Sequence, residues 1–212
     1  MSWRYKNHII RPRIRLRYSS CYQTPLQITL QRSNYLILNK TPIIKVFGQM
    51  EPETVVFKWE GKQAAQVNGV TAEQAWLVVS DFCNVHEWFP TVDTCSRVEG
   101  TDGQTGLVRY CASTATKEDD ETKWAKERLV EFDPIGRCLS YEVLENNVGF
   151  RSYVATVKVM QVDGVDESDS GKVCRIEWSF VSDPVDGWKK EDLESYVGFC
   201  LKHMANKMEM NL

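Results

Sequence analysis

The sequence predicts an α+β domain in which a curved antiparallel sheet of seven strands wraps around a long C-terminal helix. The observation behind this fold class is the order of the segments. One strand-like segment and two short helical segments come first, six further strand-like segments follow, and one long amphipathic segment ends the chain. The connections between the later strands are short, and short turns join antiparallel neighbours because parallel strands need longer crossovers. A single sheet cannot bury one apolar face unaided, so we expect it to curl around the last helix.

The first strand and the two short helices have local signals of their own. Residues 54–63 are rich in β-branched and aromatic side chains, which favours a strand. Thr71 and Gln74 have the spacing of a capping box, which predicts that a helix begins there. A second short helix over 82–88 has to end before Pro90, because proline cannot continue a helix.

Turn residues separate the six later strands. Asp102-Gly103 is typical of a hairpin turn, and the Asp and Asn clusters that begin at Asp133 and Asn146 are typical of turns as well. The acidic loop 163–171 joins the last two strands. The strands are expected at 94–100, 105–113, 123–132, 138–145, 151–162 and 172–181.

The C-terminal helix is predicted by apolar residues that recur every three or four positions after Gly187. This stripe comprises Leu193, Tyr196, Val197, Cys200, Leu201, Met204 and Met208. The longest predicted strands exceed the usual length, which favours strong curvature and a gap between the sheet and the helix. Because aromatic residues and Met would line such a gap, we expect a cavity for a small hydrophobic molecule. A filled core without a cavity is the alternative.

Composition and charge exclude several classes of protein. Hydrophobic residues at 42% and charged residues at 26% are ordinary for a globular chain, which excludes wholesale disorder. No apolar run approaches the roughly 18 residues that a membrane-spanning helix needs. The seven cysteines form no C-x-x-C pair and there are only three histidines, so we expect no metal site and a reducing, cytoplasmic compartment.

Residues 1–49 differ from the domain expected at 50–212. They hold nine of the 26 Lys and Arg residues and no Asp or Glu. Such a segment is typical of an organelle transit peptide, which would indicate a plastid or a mitochondrion. The alternatives are a disordered or non-native extension, with Met50 as the working start, and a basic arm for nucleic acid. Nucleic acid is not expected as a partner, because the acidic domain repels phosphate.

One pair of opposite charges is expected to face inward from a hairpin. A turn centred near Glu118 places Arg109 directly opposite Glu127, and opposed residues share one face of a sheet. Ala125 and Leu129 make that face of the second strand apolar. In an apolar pocket, a carboxylate can move protons and a guanidinium can hold an oxygen that gains negative charge. A plain structural salt bridge is the alternative.

Aromatic side chains are the next candidates for the site. Tyr153 shares the inward register and offers a phenol O–H to a ligand, although a core position is the alternative. Tyr141, Trp124 and Trp178 are expected in the wall of the cavity or in the core. His86 is expected to be structural, and no cysteine has a base beside it in the sequence, so a thiol nucleophile is not expected.

Several blocks in one order resemble the plant lachrymatory-factor synthases. The blocks are WEGK at 59–62, DFCNVH at 81–86, VEG at 98–100, VRY at 108–110, WAKERL at 124–129, GFRSYVAT at 149–156 and WSF at 178–180. The resemblance spans about 58–210. It implies the START-type helix-grip fold, which is shared with polyketide cyclases, plant pollen allergens and abscisic acid receptors.

The resemblance also implies an isomerase or lyase that needs neither a metal nor an organic cofactor. In that family, a small alkenyl sulfenic acid rearranges to a thial S-oxide by internal proton transfer. The essential arginine and glutamate of the family fall on Arg109 and Glu127, and its pocket tyrosine falls on Tyr153. By resemblance, Glu127 takes the sulfenic O–H proton and helps deliver it to the alkenyl carbon, while Arg109 steadies the oxygen. No obligate protein partner is predicted.

Three departures from the family lie near Tyr153 and predict a different substrate. Phe150 replaces a tyrosine, Val154 replaces a threonine, and the loop 145–149 is shorter. Non-catalytic binding or transport of a lipid, hormone or flavonoid is an alternative function, and a polyketide cyclase-like enzyme is another. An abscisic acid receptor is disfavoured, because the sequence lacks both the gate and the latch motifs of such receptors.

Overall fold

The computed structural model describes residues 57–114, 121–162 and 172–212. The basic segment 1–49, the centre of the predicted turn near Glu118 and the acidic loop 163–171 lie outside these residues. The elements in chain order are β1 (Trp59–Asn68), α1 (Ala72–Ser80), a 3₁₀ helix (Phe82–Glu87), β2 (Thr94–Glu99), β3 (Val108–Ala112), β4 (Trp124–Asp133), β5 (Cys138–Asn146), β6 (Tyr153–Gln161), β7 (Val173–Ser182) and α2 (Lys190–Asn211).

The seven strands among the described residues form one antiparallel sheet in the order β1-β7-β6-β5-β4-β3-β2. Strands that follow one another along the chain pair from β2 to β7, and β1 pairs with β7 along its whole length. The helix α2 packs mainly against β1 and β7, and its buried stripe joins the inner face of the sheet in one core. This arrangement confirms the predicted fold class and the predicted order of elements.

The first strand ends later than predicted, and residues 54–56 of the predicted strand lie outside the described residues. Residues 54–63 were the expected strand, whereas β1 covers Trp59–Asn68 and pairs throughout with β7. The prediction missed the end of the strand because Ala64 and Ala65 have little strand propensity, although both residues pair with β7. Gly61 and Ala65 lie on the same face of β1, the strand on which α2 mainly packs. A Cβ atom on Gly61 would lie 2.5 Å from Cε1 of Phe180 and 3.0 Å from Cγ of Glu194. Small residues at these positions therefore let the helix approach the sheet.

The predicted capping and turn signals are confirmed. The Thr71 side chain accepts a hydrogen bond from the Gln74 N–H at 3.2 Å, and the Thr71 N–H donates to the Gln74 side chain at 3.0 Å. Gly103 in the predicted hairpin turn has φ +72°. Asn146 Oδ1 accepts from three successive backbone N–H groups, which closes the turn before β6.

The second short helix is a 3₁₀ helix that ends at Glu87, three residues before Pro90. It begins immediately after α1, with Asp81 as the residue between the two helices. Lys207 near the end of α2 donates a hydrogen bond to the carbonyl oxygen of Glu87. The C-terminal helix therefore holds the end of the 3₁₀ helix in place, which matters because the 3₁₀ helix contributes to the site described below.

We expect Gly61→Ala to lower the free energy of unfolding by about 1–3 kcal/mol, because the added methyl group meets the buried Phe180 ring. Urea unfolding followed by circular dichroism measures the change.

The matched control is Gly198→Ala, because Gly198 lies in α2 and its added Cβ would meet only the flexible Gln63 side chain, 3.3 Å from Oε1. Alanine also favours a helix over glycine, so this variant should be at least as stable as the wild type. Equal stability of Gly61→Ala and the wild type would contradict the close packing of α2 on β1.

Candidate active site

A mostly apolar cavity of about 650 Å³ lies between the inner face of the sheet, the loop after the 3₁₀ helix and the start of α2. The filled-core alternative is therefore wrong. All six residues that the sequence placed in the site line this cavity, namely Arg109, Glu127, Tyr153, Tyr141, Trp124 and Trp178. His86 is not among the residues that line it.

The predicted pairing of Arg109 with Glu127 is confirmed. Arg109 on β3 lies directly opposite Glu127 on β4 in the strand register. Nε and Nη2 of Arg109 each lie 2.6 Å from Oε2 of Glu127. The two side chains are 6% and 14% exposed. The pair is thus a short, largely desolvated ion pair.

The 3₁₀ helix supplies a third contact for the guanidinium. Nη1 of Arg109 donates to the carbonyl oxygen of Phe82 at 2.6 Å, and Cζ lies 3.8 Å from the centroid of the Phe82 ring. The Tyr141 ring lies on the guanidinium as well, 5.1 Å from Cζ to the centroid. Burial by itself lowers the pKa of Arg109, but the charge of Glu127 raises it above its ordinary value. The guanidinium therefore stays charged although it is buried.

Some hydrogen-bond donors of Arg109 and one carboxylate oxygen of Glu127 remain available to a ligand. Both contacts from Arg109 go to Oε2 of Glu127, and no described residue makes a hydrogen bond to Oε1. A guanidinium has five N–H donors, and the hydrogen bonds to Glu127 and to the Phe82 carbonyl use two of them, while Nη2 makes an ion-pair contact with Oε2 of Glu127. A carboxylate oxygen and N–H donors are thus left at the wall of an apolar cavity.

Tyr141 and Tyr153 form the aromatic wall beside the pair. Their ring centroids are 6.3 Å apart, and Tyr153 stacks on Phe180 at 6.0 Å. Burial raises the pKa of both phenols, and the negative charge of Glu127 raises them further. Both hydroxyls therefore stay protonated and can donate hydrogen bonds.

The two tryptophans occupy different parts of the cavity wall. Trp178 is buried and stacks on Phe89 with 5.3 Å between centroids, and its Nε1–H makes no hydrogen bond of normal geometry to the described residues. Trp124 is half-buried and stacks on Tyr110 at 5.8 Å. Trp178 thus offers a buried donor to a ligand, whereas Trp124 offers mainly an aromatic surface.

Two lining residues at the start of α2 were not predicted as part of the site. The Tyr196 hydroxyl lies 3.0 Å from Oγ1 of Thr91, and the Trp188 ring lies edge-on to Tyr196 and to Phe150. The sequence placed Tyr196 in the buried stripe of the helix, but it is 38% exposed and lines the cavity. The sequence signal for this role is that Tyr196 is the one residue with a hydroxyl group in the apolar stripe of the helix.

Of the two substitutions near Tyr153 relative to the resembled family, Phe150 lies in the cavity wall and Val154 does not. Phe150 lines the cavity and its ring centroid lies 4.8 Å from that of Tyr153. Val154 follows Tyr153 on β6, points to the opposite face and is 40% exposed. The expectation that Val154 bears on the substrate is therefore wrong, because alternate residues of a strand face opposite sides of a sheet.

The described ranges 57–114, 121–162 and 172–212 contain neither a membrane-spanning helix nor a metal-binding cluster. No helix there combines the length and the apolar character needed to cross a bilayer. Within the same ranges, no cluster of three or more His, Cys, Asp or Glu side chains is arranged to hold a metal ion.

The fold and the site together define a helix-grip domain with a cavity suited to a small, mostly apolar ligand. The family model described as polyketide cyclase / dehydrase and lipid transport matches residues 58–209. The chain belongs to this family. The match covers the whole sheet and nearly all of α2, but the family name includes both enzymes and lipid carriers.

Solved structures agree with this fold. The protein XoxI from Bacillus cereus matches with a TM-score of 0.55 at 19% identity, covering 70% of this chain and 94% of that protein. Major latex-like protein 151 from Panax ginseng matches with a TM-score of 0.53 at 21% identity, covering 73% of this chain and 99% of that protein. The neighbours thus come from bacteria as well as from a plant, and at this identity they support the fold alone.

We expect Arg109→Met to lower the free energy of unfolding by about 3–5 kcal/mol, because it leaves the Glu127 carboxylate desolvated without its partner. The change also removes the donor to the Phe82 carbonyl. Urea unfolding at neutral pH measures it.

Arg128→Met is the matched control, because Arg128 pairs with Glu142 on exposed positions of the neighbouring strands β4 and β5. An exposed pair of this kind contributes at most about 1 kcal/mol. Equal losses in the two variants would show that the Arg109–Glu127 pair is not desolvated in solution.

Proposed function

We propose that this protein is an isomerase or lyase that resembles the lachrymatory-factor synthases and moves a proton within a small sulfenic acid or a related oxygen-bearing substrate. The observation that carries this proposal is the short, buried Arg109–Glu127 pair on the wall of an otherwise apolar cavity. Substrate and reaction are proposed here, while membership in the family rests on the match above.

The position of the pair favours chemistry over a purely structural role. A buried ion pair stabilises a fold little, since its Coulomb energy only offsets the lost hydration of both charges. Here both residues line a cavity rather than the closed core, and Oε1 of Glu127 has no partner among the described residues. A carboxylate that is oriented through one oxygen and unbonded at the other is suited to proton transfer.

The proposed reaction gives Glu127 the proton transfers and Arg109 the stabilisation of the oxygen. Oε1 of Glu127 accepts the O–H proton of an alkenyl sulfenic acid, and the O–H electron pair forms the second bond between sulfur and oxygen. A lone pair of sulfur then forms the carbon–sulfur double bond, while the electrons of the alkenyl double bond take the proton from Glu127 at the double-bond carbon that does not carry sulfur. The product is a thial S-oxide with the same atoms as the substrate. The N–H groups of Arg109 hold the oxygen, which gains negative charge during the transfer.

Aromatic groups complete the proposed site. The protonated hydroxyls of Tyr153 and Tyr141 and the buried Nε1–H of Trp178 can donate to the substrate oxygen or sulfur. The rings of Phe89 and Phe150 leave an apolar surface for the alkyl end. A small substrate with one polar end and one apolar end fits this distribution.

We expect Glu127→Gln to lower kcat for an alkenyl sulfenic acid by at least about 100-fold, because glutamine cannot accept the proton. The amide keeps the shape of the side chain, so binding of a non-reactive analogue should persist. The substrate is generated in situ, and formation of the thial S-oxide is followed by mass spectrometry.

The control is Glu142→Gln, which changes a half-buried carboxylate of β5 outside the cavity and should leave turnover unchanged. Undiminished turnover by Glu127→Gln would refute the assignment of Glu127. Saturable binding of a lipid, hormone or flavonoid by the wild type, with no product from any sulfenic acid, would instead favour the carrier function.

We expect Phe150→Tyr to change KM for a small apolar substrate by about tenfold, because it adds a hydroxyl to the cavity wall beside Tyr153. Val154→Thr is the matched control, since Val154 lies near Phe150 in the chain but on the outer face of β6, away from the cavity. Steady-state kinetics over a series of alkenyl and alkyl sulfenic acids measures both. Equal effects of the two changes would contradict the placement of Phe150 in the substrate site.

A further inference from the structure

Two cysteines face each other across the strands that lead to the ion pair. Cys95 on the edge strand β2 lies directly opposite Cys111 on β3, and their Sγ atoms are 3.2 Å apart. Both thiols are free. Cys111 also lines the cavity, two residues after Arg109 on the same strand.

The strand geometry suits a covalent bond between these sulfurs. Directly opposed residues of antiparallel strands have Cα atoms about 4.5–5.5 Å apart, which lies within the usual Cα separation of disulfides. The sulfurs need only approach from 3.2 Å to about 2 Å. No change of register between β2 and β3 is required.

The surroundings give the two thiols different roles. Cys111 is buried and donates its S–H to the sulfur of Cys95, which raises the pKa of Cys111, and burial raises it further. The same hydrogen bond lowers the pKa of Cys95 against the effect of its burial, and the charge of Arg109 adds to the lowering. Cys95 is only half-buried, so it is the more accessible sulfur and the better thiolate.

We infer that Cys95 and Cys111 form a dithiol site that small-molecule disulfides oxidise to an intramolecular disulfide. The Cys95 thiolate attacks one sulfur of the oxidant, forms a mixed disulfide and releases one thiol after protonation. Cys111 then gives up its proton, and its sulfur attacks Sγ of Cys95 and displaces the second thiol. Two electrons pass from the protein to the oxidant, which ends as two thiols.

Cys83 is the nearest competitor for the role of the second thiol. It lies on the 3₁₀ helix, and burial together with the charge of Cys95 raises its pKa. Cys83 therefore lies near Cys95 as well, but it is not opposite Cys95 in the strand register. The register makes Cys111 the partner.

The bond would form within the wall that positions Arg109. Sγ of Cys95 lies 4.0 Å from the carbonyl oxygen of Phe82, which also accepts from Arg109. Oxidation removes the S–H groups of both cysteines and links the edge strand to β3. This inference does not depend on the reaction proposed above.

The test treats the reduced, full-length protein with excess oxidised glutathione, then blocks remaining thiols with an alkylating reagent and maps the peptides by mass spectrometry. We expect a linked peptide pair that contains Cys95 and Cys111 and has lost two hydrogen atoms. Cys111→Ser should instead retain glutathione on Cys95, and Cys95→Ser should leave Cys111 open to alkylation. Cys174→Ser, a change at a buried thiol of β7, should leave the cross-link intact.

The peptide map of the wild type decides the question even where a variant fails to fold. A bond between Cys95 and Cys83 would overturn the inference. So would glutathione that stays on Cys95 in the wild type, or alkylation of both Cys95 and Cys111 after the treatment.

Discussion

The arrangement of this site depends on how the protein compensates the desolvated guanidinium of Arg109. A buried charge loses several kcal/mol of hydration, so it persists only where protein groups replace the water. Three elements supply them, since β4 contributes the Glu127 carboxylate, the 3₁₀ helix contributes the Phe82 carbonyl and ring, and β5 contributes the Tyr141 ring. The same contacts that keep the charge inside therefore fix the 3₁₀ helix against the sheet, on one side of the cavity.

The cavity follows from where the long helix packs. The helix α2 lies mainly against β1 and β7, where Gly61 allows a close approach, whereas Arg109 and Glu127 lie on β3 and β4 further along the sheet. Because α2 covers the inner face mainly at the β1 and β7 end of the curved sheet, space remains over the inner face near β3 and β4. Aromatic rings from β6, β7 and the start of α2 line this space. Fold and site are thus linked, because close packing at one side of the sheet leaves the ion pair beside a cavity at the other.

The sequence contained enough information for the sheet and the central pair, but not for every contact. The register of Arg109 with Glu127 could be predicted because a hairpin with a recognisable turn fixes which residues are opposed. The Phe82 carbonyl could not be predicted, since a backbone oxygen leaves no mark in the sequence. The end of β1 was missed because Ala64 and Ala65 have little strand propensity, although both residues pair with β7. Tyr196 was assigned to the core because periodicity gives a helical face but not how far the sheet extends beneath it.

The most direct test of this account is a crystal structure of the protein with a small alkenyl sulfoxide or sulfinate bound as a non-reactive analogue. The account predicts that the ligand oxygen lies within hydrogen-bond distance of the Arg109 guanidinium, with the reactive end of the ligand beside Oε1 of Glu127 and its alkyl end against Phe89 and Phe150. A ligand whose polar end points to the cavity mouth, with its apolar end on the ion pair, would contradict it. An Arg109 side chain turned toward bulk solvent would contradict it as well.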